Sequence, residues 1–237
     1  SGDEDNSDEE SSESSDVDDE DFTFDGILQR VRQNDPLATK FEVIGGYERI
    51  QNMTDEEWEE LGRDISNNTH LEELTLYNGA LNDHKMSFLF RGLTRSSSIK
   101  DMMLRDNELS VAGVQSMVPF LQNSINLKYL SLDGNNIPSE GFSVVFRALR
   151  DSPIEDLYCA VISNCGIESI EIDRSPKHLK FLDLEDNCIN ADGCRGLAKL
   201  LHGGDSTLTS LWLWLWLCIN KIDDEGVAVL VDALQNN

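Results

Sequence analysis

The chain carries a formal net charge of −26 over 237 residues, from 45 acidic and 19 basic side chains. Nucleic acids and anionic membranes are bound by surfaces rich in Lys and Arg, so this balance argues against both and favours a protein partner with a basic surface. The longest apolar run, 211–219, is about half the length that a membrane-spanning helix needs.

Residues 1–21 are predicted to form a disordered acidic tail. They contain twelve acidic side chains, no Lys or Arg, no aromatic ring and one aliphatic side chain, Val17. A segment of this composition buries too little apolar surface to offset the entropy that is lost on ordering.

Residues 22–70 are predicted to form an N-terminal capping segment and a degenerate first repeat. This repeat is expected to start near Val43, with a degenerate strand half. Thr54 and Glu57 have the spacing of a capping box, which indicates that a helix begins there. One face of that helix is apolar at intervals of three and four residues, at Trp58, Leu61 and Ile65.

From residue 71 onward the sequence repeats itself in units of about 28 residues. Each unit opens with apolar residues that alternate as on a strand, followed by an Asn and a further Leu or Ile. Fourteen residues after most starts comes a Gly, with Lys85 in this place after Leu71, followed by apolar residues at helical spacing such as Val227, Leu230 and Leu234 in the last unit. The strand halves are Leu71, Leu74, Leu76; Ile99, Met102, Leu104, Asn107, Leu109; Leu127, Leu130, Leu132, Asn135, Ile137; and Leu179, Leu182, Leu184, Asn187, Ile189.

This pattern, L-x-x-L-x-L-x-x-N-x-L followed by a helix, resembles the leucine-rich repeat, and its length resembles the ribonuclease-inhibitor subfamily. The resemblance implies an α/β leucine-rich-repeat solenoid, a right-handed horseshoe with a parallel sheet on the concave face and helices on the convex face. Residues 71–237 are assigned to these repeats. The array is expected to be C-terminally incomplete, because no polar capping repeat follows its last helix.

Two units depart from the pattern. The unit that starts at Leu157 has Cys165 in the Asn position. The next starts only 22 residues later, so the connection 168–178 is expected to be extended or a single turn. The last unit is interpreted as starting at Leu208, with Trp214 to Leu217 as a four-residue insertion or a sequence error. A start at Trp212 also fits the following Leu, Asn and Gly positions.

The predicted binding surface is the concave face, which is formed by the strand residues between the leucines. It mixes acids with aromatic side chains, a combination suited to a protein interface. The candidate residues are Glu73, Tyr77, Asp101, Met103, Arg105, Tyr129, Asp133, Phe181, Asp183, Glu185, Trp212 and Trp214. No motif indicates a catalytic site, a metal site, a cofactor or a small-molecule substrate, and none of the four histidines has metal-ligand spacing.

The expected function is a non-catalytic, protein-binding scaffold or inhibitor module, and not an enzyme. One alternative is a regulator similar to the Ran GTPase-activating proteins, which pair a horseshoe with an acidic tail; Arg105 is a concave arginine. A second is the ligand-sensing repeat domain of an immune-type receptor. The odd number of cysteines, the absence of a CxxC pair and the absence of an apolar leader favour the cytosol or the nucleus.

Overall fold

The computed structural model describes residues 23–45, 48–78, 81–155, 157–171, 176, 179–202, 214–216 and 219–236. Within these residues, one seven-stranded sheet forms, all of it parallel, and its strand order follows the chain order. The fold class predicted from the repeats is therefore confirmed. The strands are β1 (Lys40–Ile44), β2 (Glu73–Tyr77), β3 (Asp101–Met103), β4 (Tyr129–Ser131), β5 (Cys159–Val161), β6 (Phe181–Asp183) and β7 (Trp214–Trp216).

A helix or a pair of helices follows each strand of the described chain, with one exception. The helices are α1 (Phe24–Arg32), α2 (Glu48–Gln51), α3 (Asp55–Asn67), α4 (Asp83–Gly92), α5 (Val111–Ser116), α6 (Val118–Asn123), α7 (Ser139–Arg150), α8 (Ala191–His202) and α9 (Asp224–Gln235).

The exception is β5, because none of the described residues between β5 and β6 is helical.

The first long helix, α3, begins as predicted. The Glu57 backbone N–H donates to Thr54 Oγ1 at 3.2 Å, and the Thr54 N–H donates to Glu57 Oε2 at 2.7 Å, which completes the capping box. The predicted core face of this helix is buried, at Trp58, Leu61 and Ile65. One predicted helix is split at Met117 into α5 and α6. Pro119 causes this split, because it has no N–H to donate to the preceding turn.

The sheet register places equivalent residues of successive units side by side. Leu74 pairs with Met102, which pairs with Leu130, then Ala160 and Leu182. These side chains are almost fully buried, while most strand residues on either side of them are half-buried; Thr75 and Ser131 are buried. Burial of one such leucine stabilises the fold by about 1.5–3 kcal/mol, so this row is a continuous core that crosses every unit.

Buried asparagines join each unit to the one before it. Asn107 Nδ2 donates to Leu76 O at 2.7 Å, Asn135 Nδ2 to Leu104 O at 2.8 Å, and Asn187 Nδ2 to Ile162 O at 2.9 Å. The amide oxygens accept backbone N–H groups of the preceding unit, such as that of Leu109, which donates to Asn135 Oδ1 at 3.1 Å. A short side chain with both a donor and an acceptor thus satisfies backbone groups that no strand reaches.

Cys165 takes the place of the asparagine in the unit that contains β5, as the sequence predicts. Its Sγ donates to Leu132 O at 3.4 Å and to Ser163 O at 3.2 Å. Burial raises the pKa of this thiol to about 11, so it stays protonated and able to donate at neutral pH.

The short connection after β5 is non-helical in its described residues, as expected. The N–H groups of Glu168 and Ser169 donate to Ser139 Oγ at 3.0 and 2.9 Å. Helix α8 packs directly against this segment, and a Cβ at Gly196 would lie 1.9 Å from Ile170 O. Only a glycine lets the helix approach the extended backbone so closely.

The start predicted for the first unit is wrong. Val43 pairs with Leu76 and Phe41 pairs with Leu74, so the residue equivalent to Leu71 is Ala38. Three apolar residues at strand spacing are present in both units. The first unit is longer than 28 residues, so a comparison based on a 28-residue period did not find this alignment.

The start predicted for the last unit is also wrong. Leu215 pairs with Leu182, so this unit starts at Trp212 and not at Leu208, and no insertion separates its strand from Asn220. The reason is the asparagine bridge: Asn220 Nδ2 donates to Leu184 O at 2.9 Å, and Asn220 Oδ1 accepts from Ile189 N at 2.9 Å. These bonds fix the distance along the chain from strand to asparagine, so the extra residues must precede β7.

The core face predicted for α9 is only partly correct. Val227 and Leu234 were expected to be inside, but they are 51% and 63% exposed. The helix packs on α8 through Val229, Leu230 and Ala233 instead. No further unit of the described chain covers the opposite side of α9.

Replacement of Gly62 by Ala is expected to destabilise the fold by at least about 2 kcal/mol, because a Cβ there would lie 2.0 Å from the backbone oxygen of Leu89. Urea denaturation measures the loss. The matched control is Gly166→Ala, where no atom lies within 4 Å and only the positive φ of 78° is strained. That change should cost about 1 kcal/mol. Equal losses in the two variants would contradict the close helix packing.

Replacement of Asn135 by Ala is expected to cost about 3 kcal/mol, because it leaves the buried Leu104 carbonyl and the Leu109 N–H without partners and removes one of two donors from the Leu132 carbonyl. Cys165→Asn should change the free energy of unfolding by less than about 1 kcal/mol, since two backbone carbonyls already accept from that position. A loss in Cys165→Asn as large as in Asn135→Ala would show that the two positions are not equivalent.

Candidate binding face of the sheet

The sheet face that points away from the buried leucine row is named the open face. It consists of alternate residues of the strands and the residues that continue them. Ten of the predicted site residues lie together on it: Glu73, Tyr77, Asp101, Met103, Arg105, Tyr129, Asp133, Phe181, Asp183 and Glu185. Trp214 is in register with Phe181. Trp212 lies outside the described residues.

The first half of the open face contains its own counter-ions. Lys40 Nζ lies 2.7 Å from Glu73 Oε2, which joins β1 to β2, and Arg105 Nε lies 2.8 Å from Asp133 Oδ2, which joins the units of β3 and β4. At the edge of this half, Lys100 Nζ lies 2.5 Å from Glu72 Oε1. The cations of this half are therefore held by its own acids.

Arg105 is held at two points. Besides its bond to Asp133, its guanidinium lies 5.8 Å from the centre of the Tyr77 ring. Asp133 is largely buried and also accepts from Ser131 Oγ. The arginine thus balances a carboxylate that would otherwise be buried without a cation.

Asp101 lies between these pairs without an ion pair of its own in the described chain. Burial raises the pKa of its carboxyl, and repulsion from Glu73 raises it further. Both effects disfavour the charged form, so an approaching cation would relieve the repulsion.

The second half, on β5 and β6, has no such counter-ions. Asp183 and Glu185 form no ion pair with any described residue, and the nearest stabilising contact is the Glu185 N–H, which donates to Asp183 Oδ1 at 2.9 Å. The rings of Tyr158 and Phe181 lie 5.5 Å apart at 39°, with Lys180 Nζ 5.8 Å from the Tyr158 ring. Two acids and an aromatic pair are thus presented side by side.

Sequence reasoning did not select Tyr158, which is 51% exposed. This residue comes one position before its strand, where equivalent units have Lys100, Lys128 and Lys180. An aromatic residue in a column of lysines is a signal that the aligned repeats could have provided. The prediction was limited to alternate positions within the strands.

The thiol of Cys159 lies on the open face between Tyr129 and Phe181 in the register. Burial raises its pKa to about 11, and the nearby Asp183 carboxylate adds to the rise. At neutral pH the group is a thiol and therefore a poor nucleophile.

The described residues contain no group of three or more His, Cys, Asp or Glu side chains positioned to hold a metal ion. None of the helices in the described part of the chain is long and apolar enough to cross a membrane. A cleft of about 240 Å³ lies away from the open face, at the start of β1, and is lined by Ile27, Arg30, Leu37, Ala38, Thr39 and Lys40.

A family model described as Leucine Rich repeat matches residues 175–198. The NACHT, LRR and PYD domains-containing protein 9C of Mus musculus is 30% identical over 167 residues, covering 68% of this chain and 16% of the relative. The ribonuclease inhibitor of Mus musculus is 24% identical over 179 residues, covering 73% and 39%. A solved structure of actin-binding site 2 of leiomodin-1 aligns with a TM-score of 0.48 at 21% identity, covering 56% of this chain and 77% of that one.

The strand–helix units, the asparagine bridges and the family-model match define the class: this is a leucine-rich-repeat protein. Within that class, the chain is similar to the ribonuclease inhibitor of Mus musculus over 179 residues. It spans 16%, 16% and 13% of the length of the first three NACHT-containing relatives.

Alkylation of Cys159 by iodoacetamide is expected to accelerate up to about pH 11, because the raised pKa keeps it protonated below that value. Peptide-resolved mass spectrometry measures the rate at this cysteine alone. In Asp183→Asn, the midpoint should move to lower pH, since one source of repulsion is removed. A midpoint that Asp183→Asn does not move would contradict the proximity of the two groups.

Proposed function

We propose that the chain is a non-catalytic binding module that holds a basic protein partner on its open face. The observation that carries this proposal is the presence of Asp101, Asp183 and Glu185 on that face without a cation partner among the described residues. Aromatic side chains lie beside them, and interfaces combine such anchors with steering charges.

The charge of the whole chain supports the same partner chemistry. The formal net charge is −26, and residues 1–21 contribute twelve acidic side chains without a basic one. A field of this sign raises the rate at which a cationic protein encounters the chain, and salt screens the effect. A scaffold and an inhibitor would both use such a surface.

The chemistry of the open face supports binding without catalysis. The thiol of Cys159 is protonated at neutral pH, and Arg105 is engaged by Asp133 and Tyr77. The alternative of a regulator similar to the Ran GTPase-activating proteins named Arg105 as its concave arginine, and this side chain is engaged within the chain. A GTP-hydrolysis assay with small GTPases tests that alternative, and stimulated hydrolysis would favour it over the binding module.

The four cysteines in the described chain are free thiols, which fits a reducing compartment. We propose that the protein is cytoplasmic or nuclear. Fractionation of cells that express the tagged chain tests this placement.

A second candidate is the ligand-sensing repeat domain of a larger receptor. The match to a NACHT, LRR and PYD domains-containing protein over 68% of the chain favours it. Sequencing of the full-length transcript tests this candidate, because such a receptor needs a nucleotide-binding domain in the same reading frame.

The proposed binding face is tested by charge reversal. Asp101, Asp183 and Glu185 are replaced together by Lys, and the proteins retained from a cytosolic extract at fixed salt are quantified against the unchanged chain. Retention of basic partners should fall at least about tenfold, because attraction becomes repulsion.

The matched control reverses three exposed acids outside the open face, Glu56, Glu140 and Glu155, which gives the same change in net charge. This variant should retain its partners to within about twofold, since only the distant field changes. Equal losses in both variants would mean that net charge alone, and not the open face, governs binding.

A further inference from the structure

The counter-ions are distributed unevenly over the open face. On the units of β1 to β4, the cations Lys40 and Arg105 are paired with Glu73 and Asp133. On β5 and β6, the acids have no paired cation in the described chain. Glu42 and Asp101 of the first half also lack an ion pair, but ion pairs lie beside them, whereas on β5 and β6 no ion pair of the described residues lies beside the two acids.

Strand geometry spaces the groups of β6 regularly. Phe181, Asp183 and Glu185 follow each other at every second residue, and these side chains are half-buried on one side of the sheet. Alternate residues of a strand are about 7 Å apart, so the aromatic ring and the farther acid are separated by about 13 Å. The same spacing occurs at every second residue of any extended chain.

The aromatic end of this row is widened by Tyr158. Its ring lies 5.5 Å from that of Phe181, and it is the more exposed of the two. An aliphatic side chain placed over the two rings would remove its own apolar surface and that of the rings from water. Acids at one end and rings at the other give the row a direction.

We propose that Tyr158, Phe181, Asp183 and Glu185, named the β5–β6 patch, bind an extended basic segment of the partner. An aliphatic residue of that segment lies on the two rings, and arginines two and four residues further along meet Asp183 and Glu185. This inference rests on the proposed function and adds the place, the direction and the chemistry of the bound segment.

Arginine suits the acidic end for a physical reason. Its planar guanidinium offers several N–H donors to a carboxylate and stays charged at every physiological pH. The two carboxylates of the β5–β6 patch are half-exposed, and the Asp183 oxygen that accepts from the Glu185 N–H leaves its second oxygen available. A bound guanidinium would take the role that Arg105 has towards Asp133.

The probe is a blocked pentapeptide with leucine at the first position, arginine at the third and fifth, and serine between them. It is titrated into the complete, isotope-labelled chain, and amide chemical shifts are followed by NMR. We expect the amides of Tyr158, Phe181, Asp183 and Glu185 to shift most. Glutamate in place of both arginines, or glycine in place of leucine, should weaken binding at least about fivefold.

Two isosteric double variants separate this patch from the rest of the open face. Asp183→Asn with Glu185→Gln should raise the Kd of the pentapeptide at least about fivefold, because both cation contacts are lost. Glu42→Gln with Asp101→Asn removes the same charge from the other half of the face and should leave the Kd within about twofold. Thermal melting of both variants verifies that they remain folded.

Each result bears on the inference in a defined way. Equal weakening in the two double variants, or no shift at the highest soluble peptide concentration, would overturn it. The module proposed above would survive that outcome, because its own test is the retention of proteins by the Lys variants. If the Lys variants lose their partners but Asp183→Asn with Glu185→Gln leaves the Kd of the pentapeptide unchanged, the contact lies elsewhere on the open face.

Discussion

The fold depends on one recurring requirement, which is that the backbone beyond each short strand must find hydrogen-bond partners inside the protein. Strands of three residues leave carbonyl and N–H groups that the sheet does not satisfy. Asn107, Asn135 and Asn187 satisfy them with one side chain each, bonded across two units. Cys165 does so with a thiol. Because each bridge joins consecutive units, it also sets the register in which the next strand can pair.

That register has a consequence for function. It aligns the open face in columns, so the charges of neighbouring units meet at fixed positions. Where a cation faces an acid, as Arg105 faces Asp133, the charge is balanced within the protein. In the unit of β6 the equivalent position is Glu185, and neither it nor the neighbouring Asp183 forms an ion pair with a described residue. The same geometry that builds the solenoid thus leaves one end of its face open to a cationic partner.

Much of the fold was predictable because two half-motifs repeat together. Leu74, Met102, Leu130 and Leu182 were assigned to buried strand positions from their spacing, and the sheet places them in one row, with Ala160 between the last two. The prediction failed where unit length changed. The first and last units are 33 residues from their neighbours in the sheet register, so a 28-residue comparison misplaced Val43 and Leu208. At α9, amphipathic spacing alone did not show which side α8 would cover.

The sequence by itself determined the repeat, the residues of the buried row and the face on which candidate binding residues lie. These follow from local periodicity, which the alternation of a strand and the turn of a helix translate directly into burial. Only the tertiary structure decided which acids are balanced and which are not. Ion pairs such as Lys40 with Glu73 join residues of different units, and their formation depends on side-chain reach across the sheet. For the same reason Tyr158 gained significance only beside Phe181, because their contact links residues 23 positions apart in the chain.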